Sequence, residues 1–274
     1  MLRGRVLMLM ACLAIPAFSG AGTLPAAVLD AAEIADKNIA ARGGQDAWKK
    51  IQSIAWVGHI DSTHAPQPSM PFVLEMKRPN KTRFEINAQT QKSVRIFDGT
   101  QGWKLLMTSN GKPNLQPYTD EELEFARHGF GIDSLLMNYQ SQGISLSLEG
   151  VDDIEGRQAY RLAAMLPSGG LQHVWIDTQS FLDIKYDRKS ITAYGQPITV
   201  PMFYRNYQTI GDLRLPLLIE TGTGTGQKSD NMVIDKVLLN PPLEDALFLK
   251  PNLPQPRNAV TVNATSLPGS GETR

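Results

Sequence analysis

Four histidines, one cysteine and a scatter of carboxylates are the residues on which chemistry could rest in this chain. His59, His64, His128 and His173 follow no metal-ligand spacing, so a metal site would need several of them to converge with a carboxylate in the fold. His59 and His173 fall out of phase with the apolar residues around them, which points them toward solvent or an interface. Asp152, Asp153 and Glu155 crowd together, and paired acids can exchange protons. Beside Gly156, however, they suit a solvated turn better. Ser168 near His173 lacks any surrounding nucleophile motif. No G-x-S-x-G, H-E-x-x-H, Walker A or Cys/His zinc pattern occurs. Gly222, Gly224 and Gly226 miss the dinucleotide fingerprint because Gln227 follows, and their Gly-Thr alternation suits a hairpin tip. No cofactor or metal signature emerges, and the expectation is a protein that binds rather than catalyses. Were a cavity to host chemistry, Glu85, Asp98 and Tyr160 would be the first groups to test.

The side chains that stand out are soft and apolar. Met70, Met76, Met107, Met137, Met165, Met202 and Met232 are spread along the chain, and methionine adapts to irregular space and varied ligands. Trp56, Phe72, Phe84, Trp103 and Tyr160 add large surfaces. Any one of them could be ordinary core. What matters is the elements that carry them.

Val28 to Arg42 has helical spacing and stops at Gly43-Gly44, with Asp46 placed to cap a short turn through Trp48 and Ile51. The period then changes to two. Ile54, Trp56 and Ile60 alternate with other residues, as do Phe72, Leu74 and Met76, then Phe84 and Ile86, Val94 and Ile96, and Trp103, Leu105 and Met107. Pro79-Asn80, Asp98-Gly99 and Asn110-Gly111 mark the turns. Thr119 to Glu122 opens a helix with a cap and early acids. Ile132, Leu135, Leu136 and Tyr139 form one apolar stripe of a second short helix, hinged by Gly129 and Gly131. Alternation resumes at Ile144 and continues through Leu239.

The period-two runs predict about eleven antiparallel strands, five before the helical interruption and six after it. A sheet that large must curl or split into layers. Its apolar face exceeds what a few small helices can cover, which predicts a cavity. A closed barrel, a curled sheet and a two-layer sandwich all satisfy this pattern.

The first residues carry Arg3 and Arg5, an apolar run from Val6 to Phe18 and small residues from Ser19 to Gly22, the pattern of a secretory signal cut near Ala21. The run is shorter than the roughly 20 residues of a membrane span. Leu9-Met10-Ala11-Cys12 is similar to a bacterial lipobox, so Cys12 is either removed with the signal or lipidated as an outer-membrane anchor. Removal is the preferred outcome and leaves no thiol. Without Arg3 and Arg5, 25 positive side chains face 27 negative ones, with no basic face to recommend a nucleic-acid partner. Residues 22–250 are expected to form one domain, and 251–274, rich in Pro, Asn, Thr, Ser and Gly, a loose tail.

Met76-Lys77-Arg78-Pro79-Asn80-Lys81-Thr82-Arg83-Phe84-Glu85, followed by Phe97-Asp98-Gly99 and Trp103, resembles the strand–turn–strand of the periplasmic lipoprotein-carrier superfamily, the LolA/LolB-like proteins. Asn240-Pro241-Pro242-Leu243 with Ala246-Leu247-Phe248 is similar to the end of outer-membrane lipoprotein-sorting proteins. The resemblance implies an α+β half-barrel whose helices cover the concave face. It implies a periplasmic carrier that holds acyl chains of lipoproteins, or another lipid, with transient membrane contact. It makes Arg78 the residue that locks a lid by hydrogen bonding, a role suited to five donors in a fixed fork. The expected cavity residues are Trp56, Phe72, Leu74, Met76, Phe84, Trp103, Leu105, Leu135, Leu136, Tyr139, Tyr160, Leu162 and Met202. The segments His64–Met70 and Tyr118–Gln140 depart from the family pattern and leave the cargo open. A second expectation on the same scaffold is an envelope sensor or assembly module that binds a protein partner.

Overall fold

The computed structural model describes residues 29–63, 65, 67–109, 111–128, 131–191, 197–222 and 228–253. The signal segment with Cys12, His64, the Gly224–Gly226 tip and the tail from residue 254 lie outside the described residues.

Helix α1, Ala31–Ala41, begins with a reciprocal capping box: the Asp30 carboxylate accepts from the Glu33 N–H, and the Glu33 carboxylate from the Asp30 N–H. It buries Ile34, Ala35, Asn38 and Ile39. Gly43 and Gly44, both at positive φ, turn the chain into α2, Gln45–Lys49, which buries Trp48. Gly44 occupies the cap position of α2, and Asp46 lies inside its first turn.

The strands follow as β1 (Ser53–Ser62), β2 (Ser69–Lys77), β3 (Lys81–Asn87), β4 (Gln91–Phe97), β5 (Gly102–Thr108) and β6 (Asn114–Pro117). Helix α3, Asp120–His128, is capped reciprocally by Thr119 and Glu122. Then come β7 (Ser145–Ile154), β8 (Arg157–Met165), β9 (Leu171–Asp177), β10 (Asp183–Ile191), β11 (Pro197–Ile210), β12 (Leu213–Gly222) and β13 (Lys228–Leu239), and a 3-10 turn at Asp245–Phe248.

Among the described residues thirteen strands form one antiparallel sheet, two more than expected. Strand β6 has only Leu115 as a large apolar residue, too little for alternation to register. The second run holds seven strands rather than six. The order is a meander from β6 back to β1, then β13 back to β7, joined by the β1–β13 ladder. The edges β6 and β7 do not meet, so the sheet is a curled half-barrel. The curl brings β5 and β10, one from each half of the sheet, to α3, which touches both. Bulges at Val57/Gly58, Leu148/Gly150 and Asp183/Lys185 bend the strands. Gly58 is required at the first: a Cβ there would lie 1.9 Å from the Val233 carbonyl oxygen.

Residues 131–143 do not form the second helix that the apolar stripe suggested; they make successive turns. Asn138 takes φ 54°, which a right-handed helix cannot contain. Asp133 is engaged by Arg78 instead of facing solvent. Of the stripe, Ile132 and Leu136 are nevertheless buried and Leu135 and Tyr139 half-buried, while Met137, outside the stripe, is buried as well.

The concave face carries the main core. Ile54, Trp56, Phe72, Leu74 and Met76 of β1 and β2 pack with Leu215, Ile219 and Ile234, under Ile39, Trp48, Ile132 and Met137. A second cluster sets Ile34 and Ala35 of α1 and Leu136 on Leu162, Val174 and Ile176. A third lies on the convex face, where Val94, Ile96, Trp103 and Leu105 pack on Phe248.

Candidate functional site

A cavity of about 400 Å³ opens on the concave face, within the size range of small-molecule sites. Alternation decides which side chains reach it. On β1 and β2, Ile54, Trp56 and Met76 share the concave face; on β11 and β12, Met202, Tyr204 and Ile219 do. Strand β10 contributes Tyr186 and Arg188, two positions apart and therefore on one side. The turns between Gly131 and Gln142, with Arg127 of α3, form the roof.

The roof is held by the Lys-Arg-Pro-Asn turn between β2 and β3. Arg78 donates to both carboxylate oxygens of Asp133, one contact at 2.7 Å, and to the carbonyls of Ile51 (2.7 Å) and Trp48 (3.2 Å). One guanidinium thus ties β2, the end of α2 and the roof together. Asn80 donates to the Arg127 carbonyl at 3.1 Å, fastening α3 to the same turn. Gln45 of α2 donates to the Asn138 side chain at 2.8 Å.

The cavity is apolar on one side and polar on the other. Arg42, at the end of α1, faces Asp183 at 3.6 Å. Tyr207 donates to the Asp183 carbonyl at 3.0 Å, and Tyr186 to the Gln172 side chain at 2.8 Å. Burial pushes the Tyr204 hydroxyl up to about 12, so it stays a neutral donor at physiological pH. Burial lowers the Arg188 guanidinium, although the nearby tyrosines oppose this.

Of the expected cavity residues, Trp56, Met76, Leu135, Leu136 and Met202 line the space. Phe72 and Leu74 are buried beside it on the same face, and Phe84 packs edge-on to Phe72 with ring centres 5.8 Å apart. Leu162, Tyr160 and Tyr139 belong to the cluster beneath α1, where Tyr160 stacks on Phe181. Trp103 and Leu105 are on the opposite face of the sheet, beneath Phe248. The polar wall was not foreseen: Arg42, Asp183, Tyr186, Arg188, Tyr204 and Tyr207 are half-buried or buried among apolar neighbours. Its sequence signal was Tyr186 and Arg188 in phase with each other on one strand.

The groups named for catalysis are dispersed. Glu85 sits on the convex face with Arg83 and Lys92, and Asp98 accepts from the Thr100 and Gln101 N–H groups in its turn. His59 pairs with Asp235 at 3.0 Å, and His173 with Glu149 at 3.3 Å, both on that outer face. Asp152 bonds Trp175 and Arg161, and Asp153 accepts from the Gly156 N–H. Among the described residues no three His, Cys, Asp or Glu side chains gather as a metal site would require.

No protein-family model matches the chain, and no curated protein matches it by sequence. Solved structures do. A DUF1329 family protein from Desulfovibrio piger superposes with a TM-score of 0.51 at 12% identity, over 80% of this chain and 97% of that one. A LolA superfamily protein from Nitrosomonas europaea superposes with a TM-score of 0.50 at 16% identity, over 81% of this chain and 99% of that one. The chain has a LolA/LolB-like fold. At these identities the likeness is one of fold alone. In this LolA/LolB-like half-barrel the concave face is where α1, α2, the roof turns and the cavity meet.

Proposed function

We propose that this protein is an exported periplasmic carrier that holds an acyl chain, of a lipoprotein or another lipid, in the concave cavity on its way to the outer membrane. The supporting observation is a cavity of about 400 Å³ with one apolar wall, under a roof made mostly of turns and tied down by Arg78 and Asn80. Turns detach more readily than a packed helix, because fewer backbone bonds hold them. Each buried methylene contributes about 0.8 kcal/mol, so an alkyl chain supplies its own affinity. In this reading Arg78 locks the roof, Trp56, Met76, Leu135, Leu136 and Met202 contact the chain, residues 1–21 are a signal, 22–250 the carrier domain and 251–274 a tail. The role is binding, without catalysis or cofactor.

Native mass spectrometry of protein purified from a bacterial periplasm, with lipid extraction of the same sample, tests this. Cleavage near Ala21 with co-purifying acyl species is the expected result. A protein that carries no lipid and ignores added fluorescent acyl probes would overturn it.

A protein partner is the second reading. The observation favouring it is the edge strand β7, whose outer side pairs with no strand among the described residues and which exposes Val151. Site-directed crosslinking from β7 in the periplasm, yielding one defined adduct, would favour that role.

A further inference from the structure

Four buried polar atoms that line the cavity make no hydrogen bond among the described residues: Trp56 Nε1, Ser134 Oγ, Arg188 Nε, and Arg42 Nε, which lies 3.6 Å from an Asp183 carboxylate oxygen. Buried polar groups are ordinarily paired, and an unmatched set gathered around one space marks what that space is built to receive. Trp56 Nε1 and the two guanidinium nitrogens can only donate, so the matching ligand presents acceptors.

The charges say more. Among the ionised side chains that line the cavity, Arg42 faces Asp183, Asp133 is held by Arg78, and Arg127 pairs with Glu124. Arg188 makes no ion pair or hydrogen bond among the described residues. A half-buried guanidinium without a counter-charge costs some stability, and that cost is recovered when an anion arrives. Tyr186 and Arg188 lie on the same side of β10, register sets Met202 opposite Tyr186, and Tyr204 of β11 lines the same cavity. Charge-assisted bonds from a guanidinium and neutral phenol donors suit a carboxylate or a phosphate. Ile54, Trp56, Met76, Ile132, Leu215 and Ile219 line the rest of the same space.

We propose that the cavity selects a single-tailed anionic amphiphile, with its carboxylate or phosphate on Arg188 and its alkyl chain along the apolar wall. This rests on the carrier reading and adds the chemistry of the ligand's head.

The test is competition against a fluorescent acyl probe on the delipidated full-length protein, with four competitors: palmitate, hexadecyl phosphate, hexadecanol and inorganic phosphate. Wild-type protein is expected to prefer at least one of the anionic amphiphiles over hexadecanol by about ten- to a hundredfold, the usual worth of a charged hydrogen bond. Which of the two binds tighter distinguishes a fatty-acid source from a phospholipid source. Arg188→Met should abolish the preference while hexadecanol binds as before, and Arg188→Lys should keep part of it. The unliganded Arg188→Met protein should unfold at the same or a higher temperature than wild type.

Hexadecanol binding as well as the anions, in wild type and Arg188→Met alike, would overturn the proposal and leave the carrier reading standing. Inorganic phosphate competing as well as hexadecyl phosphate would overturn it in favour of a site for the free anion. Failure of every alkyl compound to compete would remove the carrier reading and this proposal together. A lower melting temperature for Arg188→Met would show the guanidinium already satisfied in the free protein, against the proposal.

Discussion

Arg78 and Asp133 meet fork to fork, two donors on two carboxylate oxygens, across the junction between the β2–β3 turn and the roof of the cavity. Both side chains are mostly shielded, at 22% and 27% exposed, so the pair keeps more of its strength than a surface ion pair. Replacing Asp133 by Ala should lower stability by about 2 kcal/mol, the worth of charged hydrogen bonds lost on one side. Urea unfolding measures that. Stopped-flow uptake of an acyl probe should become faster in the same variant if the pair restrains the roof. Arg78→Leu combined with Asp133→Ala should cost less than the two single changes added, because each single change leaves the other charge stranded.

Cavity residues and cluster residues should separate in their effects. Met202→Trp places bulk in the cavity and should reduce acyl-probe affinity at least tenfold with a modest change in melting temperature. Leu105→Ala opens a hole on the convex face beneath Phe248 and should cost about 2–4 kcal/mol with probe affinity unchanged. Parallel thermal melts and probe titrations of the two variants check the contrast.

Gly58→Ala should be among the most damaging small substitutions. The added methyl would sit 1.9 Å from the Val233 carbonyl oxygen, a backbone atom that cannot swing aside. The bulge at Val57/Gly58 and the β1–β13 ladder would both have to shift, at about 3 kcal/mol or more. Soluble yield and urea midpoint report it.

Acid should weaken the fold through Asp177. Burial raises this carboxyl, but hydrogen bonds from the Ser180 N–H and hydroxyl and from Arg157 outweigh it, leaving it below its ordinary value of 3.8. A carboxyl depressed in the folded state binds protons more readily in the unfolded chain. Its contribution is therefore complete above about pH 4 and is lost as pH falls through the folded value. Wild type should lose more stability than Asp177→Asn between pH 7 and about pH 3. Urea midpoints at the two pH values give the comparison.

Strands β1 to β5 were legible because their large apolar residues recur with a period of two, even though β1 buries both faces over Ser53–Trp56. Trp103 and Leu105 were placed on the wrong side for a physical reason. Alternation marks a covered face without saying which cover lies over it, and here the Asp245–Phe248 turn covers the outside. The roof stripe from Ile132 to Tyr139 had helical spacing, but Asn138 at positive φ and the pull of Arg78 on Asp133 make it a run of turns. Its burial was readable; its backbone was not. Arg188 escaped notice because a lone arginine in an alternating strand looks solvent-facing until the curl of the sheet sets α3 over it.

The β1–β13 ladder bears on the timing of folding. Every other pairing joins strands adjacent in the chain, so each meander can form from local turns as it is made. Strand β1 finds its second neighbour only after Leu239 is synthesised, and the cavity floor spans that seam, with Ile54 on one side and Ile219 on the other. A chain that lacks β13 therefore lacks part of the cavity floor. Until its last strand arrives the protein is two open ribbons with an unpaired edge each side of the seam.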